Sequence, residues 1–108
     1  MGNWVDVCSA DEVPTEDVIG VELAGQQVAI YRSPDDEYFA TDGLCTHERV
    51  KLCEGFVSEH TIECPKHGGV FDYTTGQAKV FPVTVNLRTY PCRVEGGRVL
   101  VEWAETGQ

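Results

Sequence analysis

The chain has 108 residues, enough for one domain and a small core. Eighteen acidic residues oppose eight basic ones, a net charge of −10, so phosphate-rich nucleic acid would be repelled and nucleic-acid binding is set aside. No apolar run approaches the roughly 20 residues of a membrane span, and the opening residues lack a basic region and an apolar stretch, so a cytoplasmic protein without a membrane partner is expected.

The predicted elements are short strands separated by turns. Residues 18–23 are rich in apolar side chains and run into Ala24-Gly25-Gln26, a hairpin signal, after which residues 27–32 resume a strand pattern. Ser33-Pro34-Asp35-Asp36 is a turn by composition, and residues 38–41 read as the next strand. Residues 89–94 and 98–103 flank Glu95-Gly96-Gly97 as a closing hairpin. Residues 11–17 allow one short helical turn, limited by Pro14. The expected class is all-β and antiparallel.

Between residues 42 and 73 the texture changes. Cysteine, histidine and glycine concentrate there, and strand alternation weakens. Residues 54–58 and 61–63 are expected to form a hairpin between two loops, Leu44-Cys45-Thr46-His47 and Cys64-Pro65-Lys66-His67-Gly68-Gly69. Antiparallel pairing would bring these loops side by side at one end of the sheet.

Each loop carries one cysteine and one histidine: Cys45-x-His47, then sixteen intervening residues, then Cys64-x-x-His67. Two thiolates and two imidazoles suit an asymmetric [2Fe–2S] cluster, with both cysteines on one iron and both histidines on the other. They also suit a closed tetrahedral zinc site. The usual zinc spacing pairs like ligands, whereas each loop here is mixed. Spacing alone leaves both centres open.

The surrounding residues carry a resemblance. Cys45-Thr46-His47, Leu52, Gly55, Cys64-Pro65-Lys66-His67-Gly68-Gly69, Phe71-Asp72, Thr75-Gly76 and Phe81-Pro82 resemble the Rieske fingerprint. They are similar in particular to the ferredoxins of bacterial ring-hydroxylating dioxygenase systems of the naphthalene, biphenyl and carbazole types. The resemblance implies a single Rieske domain over residues 1–108, with three antiparallel sheets and a small cluster-binding subdomain, approximately residues 43–83, at one end. It implies one [2Fe–2S] cluster held by Cys45, His47, Cys64 and His67.

It also implies a role. Such ferredoxins take single electrons from a flavin reductase fed by NADH and pass them to a terminal oxygenase. The chain is then an electron carrier and not an enzyme, and a monomer is expected. The alternatives are a small Rieske-like subunit of a nitrite reductase and a zinc-bound interaction module. High-potential Rieske proteins carry a loop-bridging cysteine, a serine and a tyrosine; the matching positions here are Lys66, Gly69 and Phe71, which supply neither disulfide nor hydroxyl. A potential near the bottom of the Rieske range, roughly −150 mV, is expected.

One departure is Glu48, where many relatives have glycine after Cys-Thr-His. Glycine there could adopt an unusual backbone angle, so Glu48 is expected either to relax that angle or to carry strain. It also sets a carboxylate beside a ligand. Among the remaining candidates, Cys8, Cys53 and Cys92 are expected to pack as small side chains, and His60 to sit in a surface turn. Trp4 and Trp103 are expected to pin sheet edges, and Asp72 to stabilise a loop.

Overall fold

The computed structural model describes residues 3–103. Among these the regular structure is strands and two 3₁₀ turns, with no α-helix. Among the described residues no helix is long and apolar enough to cross a membrane. In chain order the strands are β1 (Asn3–Ser9), β2 (Asp17–Leu23), β3 (Gln26–Arg32), β4 (Tyr38–Asp42), β5 (Phe56–Ser58), β6 (Thr61–Glu63), β7 (Val70–Asp72), β8 (Ala78–Val80), β9 (Thr89–Tyr90), β10 (Cys92–Glu95) and β11 (Arg98–Trp103). They form three antiparallel sheets in the orders β1-β11-β10, β2-β3-β4-β9 and β5-β6-β7-β8.

Local chemistry explains most boundaries. Ala24 and Gly25 both have positive φ, 50° and 79°, the requirement of the tight two-residue turn whose twist matches its strands. Gly96 and Gly97, at 58° and 78°, do the same between β10 and β11. The short helical turn lies at Ala10–Glu12, ahead of the expected position, because Ser9 and Glu12 form a reciprocal capping box and Pro14 stops continuation.

The strand expected over residues 89–94 is broken at Pro91, which has no N–H to donate. The break lets the chain change sheets: β9 pairs with β4, whereas β10 pairs with β11. β7 and β8 escaped the sequence reading, and the hairpin expected from residue 54 begins at Phe56, because Leu52–Glu54 is a 3₁₀ turn.

β3 organises the interior. Its Val28 and Ile30 face one core, with Cys8, Val99 and Val101 from the first sheet and Val13 from the end of the 3₁₀ turn. Its Ala29 and Tyr31 face the other, with Leu52, Ile62, Phe71 and Tyr73. A strand buried on both faces reads as a continuous apolar run, which Val28-Ala29-Ile30-Tyr31 is. Tyr31 stacks on Tyr73 with ring centroids 4.4 Å apart, and its hydroxyl lies 2.8 Å from the Thr41 hydroxyl. This second core sets the third sheet firmly on the second.

A polar tie reinforces that seam. The Tyr73 hydroxyl donates to the Glu59 carbonyl at 2.6 Å, and the Glu59 amide donates to the Glu16 carboxylate at 2.9 Å. Burial pushes the Tyr73 phenol up to about 12, so it stays a donor at neutral pH. Trp4 lies on the edge strand β1 beneath the Arg93 guanidinium, 4.1 Å from its ring. Trp103 departs from expectation: it sits on the central strand β11 and packs against Tyr90, centroids 5.1 Å apart.

Candidate metal centre

The first loop leaves β4 and folds tightly on itself. The Gly43 amide donates to the Gln27 carbonyl and the Leu52 amide to the Gly43 carbonyl, both at 2.8 Å. Between them the Cys45 amide donates to the Val50 carbonyl at 3.0 Å. Leu52, fully buried in the second core, anchors the end of the loop.

The second loop joins β6 to β7. It closes through the Cys64 amide, which donates to the Gly69 carbonyl at 2.7 Å. The reversal needs two successive left-handed residues, His67 at φ 72° and Gly68 at φ 73°. For a residue with a Cβ, such a conformation costs about 1–2 kcal/mol. The strained position is thus His67. Glu48 is not among the positive-φ residues, so the unusual angle or strain considered there is absent.

A third segment backs these loops. A Cβ on Gly69 would lie 2.6 Å from a Val83 methyl, so Val83 packs directly on the second loop. The Thr46 hydroxyl donates to the Val85 carbonyl at 2.7 Å, fastening the first loop to the same segment.

These contacts bring the expected side chains together as two pairs across the loops, Cys45 with Cys64 and His47 with His67. Cys45 and Cys64 are buried, each 2% exposed. Burial, aided by the neighbouring Cys45 thiol, raises the Cys64 pKa, so metal binding must displace a proton. His47 and His67 stand outside, with ring centroids 5.6 Å apart. Thiols point inward and imidazoles outward. That asymmetry suits a group with one sulfur-ligated iron inside and one histidine-ligated iron at the surface.

The Glu48 carboxylate joins the histidines. One ligand atom each of His47, Glu48 and His67 lies within 4.8 Å of the others. Glu48 approaches Lys66 Nζ at 3.3 Å and His67 Nδ1 at 3.8 Å, crossing from the first loop to the second. The sequence reading placed a carboxylate beside a ligand but missed its lysine partner.

The other cysteines lie elsewhere. Cys53 Sγ packs where a side chain on Gly20 would project, against β2. It is partly exposed, not fully buried as expected. Cys8 is buried in the core on the opposite side of β3, and Cys92, partly exposed like Cys53, packs against that core; burial pushes the Cys92 thiol up to about 12. His60 lies in the β5–β6 turn, 3.7 Å from the Asp35 carboxylate. Asp72 accepts from the Thr74 amide and hydroxyl at 2.8 and 2.6 Å. Burial alone would raise its carboxyl pKa, but these bonds outweigh it and hold the value low, as befits a loop brace.

The sequence profile of the Rieske [2Fe–2S] domain matches residues 3–91. The chain belongs to the Rieske [2Fe–2S] family. This Rieske domain is 43% identical over 99 residues to the ferredoxin component of a naphthalene 1,2-dioxygenase system from Pseudomonas aeruginosa, covering 92% of this chain and 94% of that one. It superposes on the Sphingomonas yanoikuyae B1 ferredoxin with a TM-score of 0.88 at 37% identity, covering 94% and 100% of the two chains. A chain from the complex of reduced oxygenase and oxidized ferredoxin in carbazole 1,9a-dioxygenase gives a TM-score of 0.86 at 36% identity, covering 92% of each. Membership implies a [2Fe–2S] cluster, and the donor set of this Rieske domain is compatible with one.

Proposed function

We propose that this Rieske domain is a ferredoxin that carries one electron at a time to the terminal oxygenase of an aromatic-ring-hydroxylating dioxygenase. The observation that carries the reading is the pairing, across the same two loops, of buried Cys45 with Cys64 and of exposed His47 with His67. The likeness to ferredoxin components over nearly the whole chain supports it. In this reading the four residues hold the cluster, which supplies a one-electron redox centre. Residues 43–83 act as its subdomain within a single domain. The chain itself does no substrate chemistry.

The protein's own part is to seat the thiolates in the core and leave the imidazoles at the surface as a short electron exit. Gly69 and Phe71 offer no hydroxyl to the cluster sulfurs, and Phe71 is fully buried among apolar neighbours. Fewer hydrogen bonds leave the reduced state less stabilised, which favours a low potential, roughly −150 mV. The nitrite reductase subunit is the weaker alternative: ferredoxin components match at 43% and 41% identity, whereas a nitrite reductase small subunit from Mycobacterium tuberculosis matches over 98% of the chain at only 23%, which shows the fold alone.

The donor is an NADH-fed flavin reductase in this proposal, and the carrier works as a cytoplasmic monomer. Docking centres on His47 and His67, with Glu48, Arg49, Lys66, Gly68 and Pro82 around them. Phe81 and Val85 add an apolar lip, 81% and 61% exposed. The net charge of −10 supplies long-range attraction to a basic acceptor face. Stopped-flow reduction of a ring-hydroxylating oxygenase component by this ferredoxin should slow as salt rises, because the screening length falls from about 10 Å at 0.1 M to about 3 Å at 1 M. Failure of the reduced protein to donate to any such oxygenase would refute the proposed role.

A further inference from the structure

We propose that Glu48 and Lys66 form an opposed charge pair that sets the reduction potential of the centre, with Glu48 holding it down and Lys66 offsetting that effect. This inference rests on the proposed ferredoxin reading and concerns the same site.

The geometry places one formal charge of each sign at the exposed side of the centre. The Glu48 carboxylate lies within 4.8 Å of a ring nitrogen on both histidines. It reaches His67 Nδ1 at 3.8 Å while pairing with Lys66 Nζ at 3.3 Å. Its side chain is 32% exposed, against 55% for that of Lys66, so water screens the acid less than the base.

The physical consequence has a definite sign. Reduction adds one electron to the centre. A nearby negative charge opposes that step, and a nearby positive charge assists it. Attraction and repulsion follow Coulomb's law and are strongest where solvent is partly excluded. Glu48 should therefore lower the potential, Lys66 should raise it, and the less screened Glu48 should dominate. Neither residue exchanges an electron; both act on the centre through the field of their charges.

A second role for the pair is a clamp, since the ion pair bridges the first loop to the second. The two roles make opposite predictions. If the pair only braces the loops, removing either partner disrupts the same contact, and both variants should shift the potential in the same direction. If the charges tune the centre, the two variants should shift it in opposite directions.

The experiment is an EPR-monitored redox titration at fixed neutral pH and ionic strength on cluster-loaded wild type, Glu48→Gln, Lys66→Gln and the double variant. Glu48→Gln should favour the reduced form by about tenfold, equivalent to about 59 mV for one electron. Lys66→Gln should favour the oxidised form by less than tenfold, and the double variant should fall between the two. Lys66→Arg keeps the charge and should keep the wild-type value, as should Asp11→Asn, an exposed acid in the 3₁₀ turn after β1. Shifts of the same sign in both single variants, or no shift, would overturn the proposal while leaving the ferredoxin reading intact. Wild-type protein lacking a [2Fe–2S] spectrum would overturn both.

Discussion

Replacing any one of Cys45, His47, Cys64 or His67 is expected to remove the cluster or leave a small, labile fraction of it. Cys45→Ser and Cys64→Ser substitute a poor soft-metal ligand at positions that are 2% exposed, where no solvent ligand can easily take over. His47 and His67 are exposed, so His47→Ala or His67→Ala would leave an iron they held open to water. Each variant should lose most of the visible absorption, and a lower melting temperature should accompany it because metal binding and folding are coupled.

The three other cysteines supply the contrast. Cys8→Ser, Cys53→Ser and Cys92→Ser should keep the wild-type spectrum per folded chain. Burying an unpartnered hydroxyl costs about 1–3 kcal/mol, so Cys8→Ser, in the core between the first two sheets, should still melt earlier. Absorption spectra and iron content of the purified variants check the whole set. A colourless but well-folded Cys53→Ser protein would contradict the ligand assignment, because Cys53 packs against Gly20 and not between the two loops.

The second large effect is expected from a residue with no chemistry. A Cβ on Gly55 would collide with the Glu63 carbonyl oxygen and crowd Pro65 Cδ. Both belong to the stretch that delivers Cys64, and neither can rotate away: one is backbone, the other a ring. Gly55→Ala must therefore push β6 and the second loop away from the first. Overpacking of this kind costs about 1–3 kcal/mol. In a domain of this size each kcal/mol lowers Tm by about 4–8 °C. The cluster should also become more labile, since the displaced segment leads directly into a ligand. Thermal melts and the rate of cluster loss to a chelator measure both effects. Wild-type melting and wild-type cluster lifetime in Gly55→Ala would show that the two loops tolerate separation.

Gly55 also illustrates what the sequence could and could not convey. It entered the reading as part of a fingerprint, and only the packing against Glu63 and Pro65 supplies a physical reason for it. The hairpin turns at Ala24-Gly25 and Gly96-Gly97 were legible because their left-handed requirement is local. The strand at residues 27–32 was legible as a strand, but its burial on both faces emerged only from the packing of the sheets around it. β7 and β8 were not legible, because three-residue strands carry too few positions for alternation to register. Pro91 stood in view, but that it marks a change of sheet depends on which strands lie alongside, a long-range fact.

The site divides in the same way. The four candidate ligands were readable from residue type and spacing. The Glu48–Lys66 pair was not, since these residues lie on different loops and meet only when both loops close. Of the two outcomes considered for Glu48, the relaxed angle is the one found, and the left-handed angle falls on His67, where the second loop reverses. Likewise, a hydroxyl cannot simply be placed at Gly69 to raise the potential, because Val83 occupies the space a Cβ would need and is stiff at χ1.

The central claim is that two loops hold a [2Fe–2S] cluster for one-electron transfer. Its most direct test is the iron, zinc and acid-labile sulfide content of protein purified without air exposure, with EPR before and after reduction. The account predicts about two irons and about two sulfides per chain, an EPR-silent oxidised state and a rhombic signal on one-electron reduction. One zinc per chain with no sulfide would contradict it.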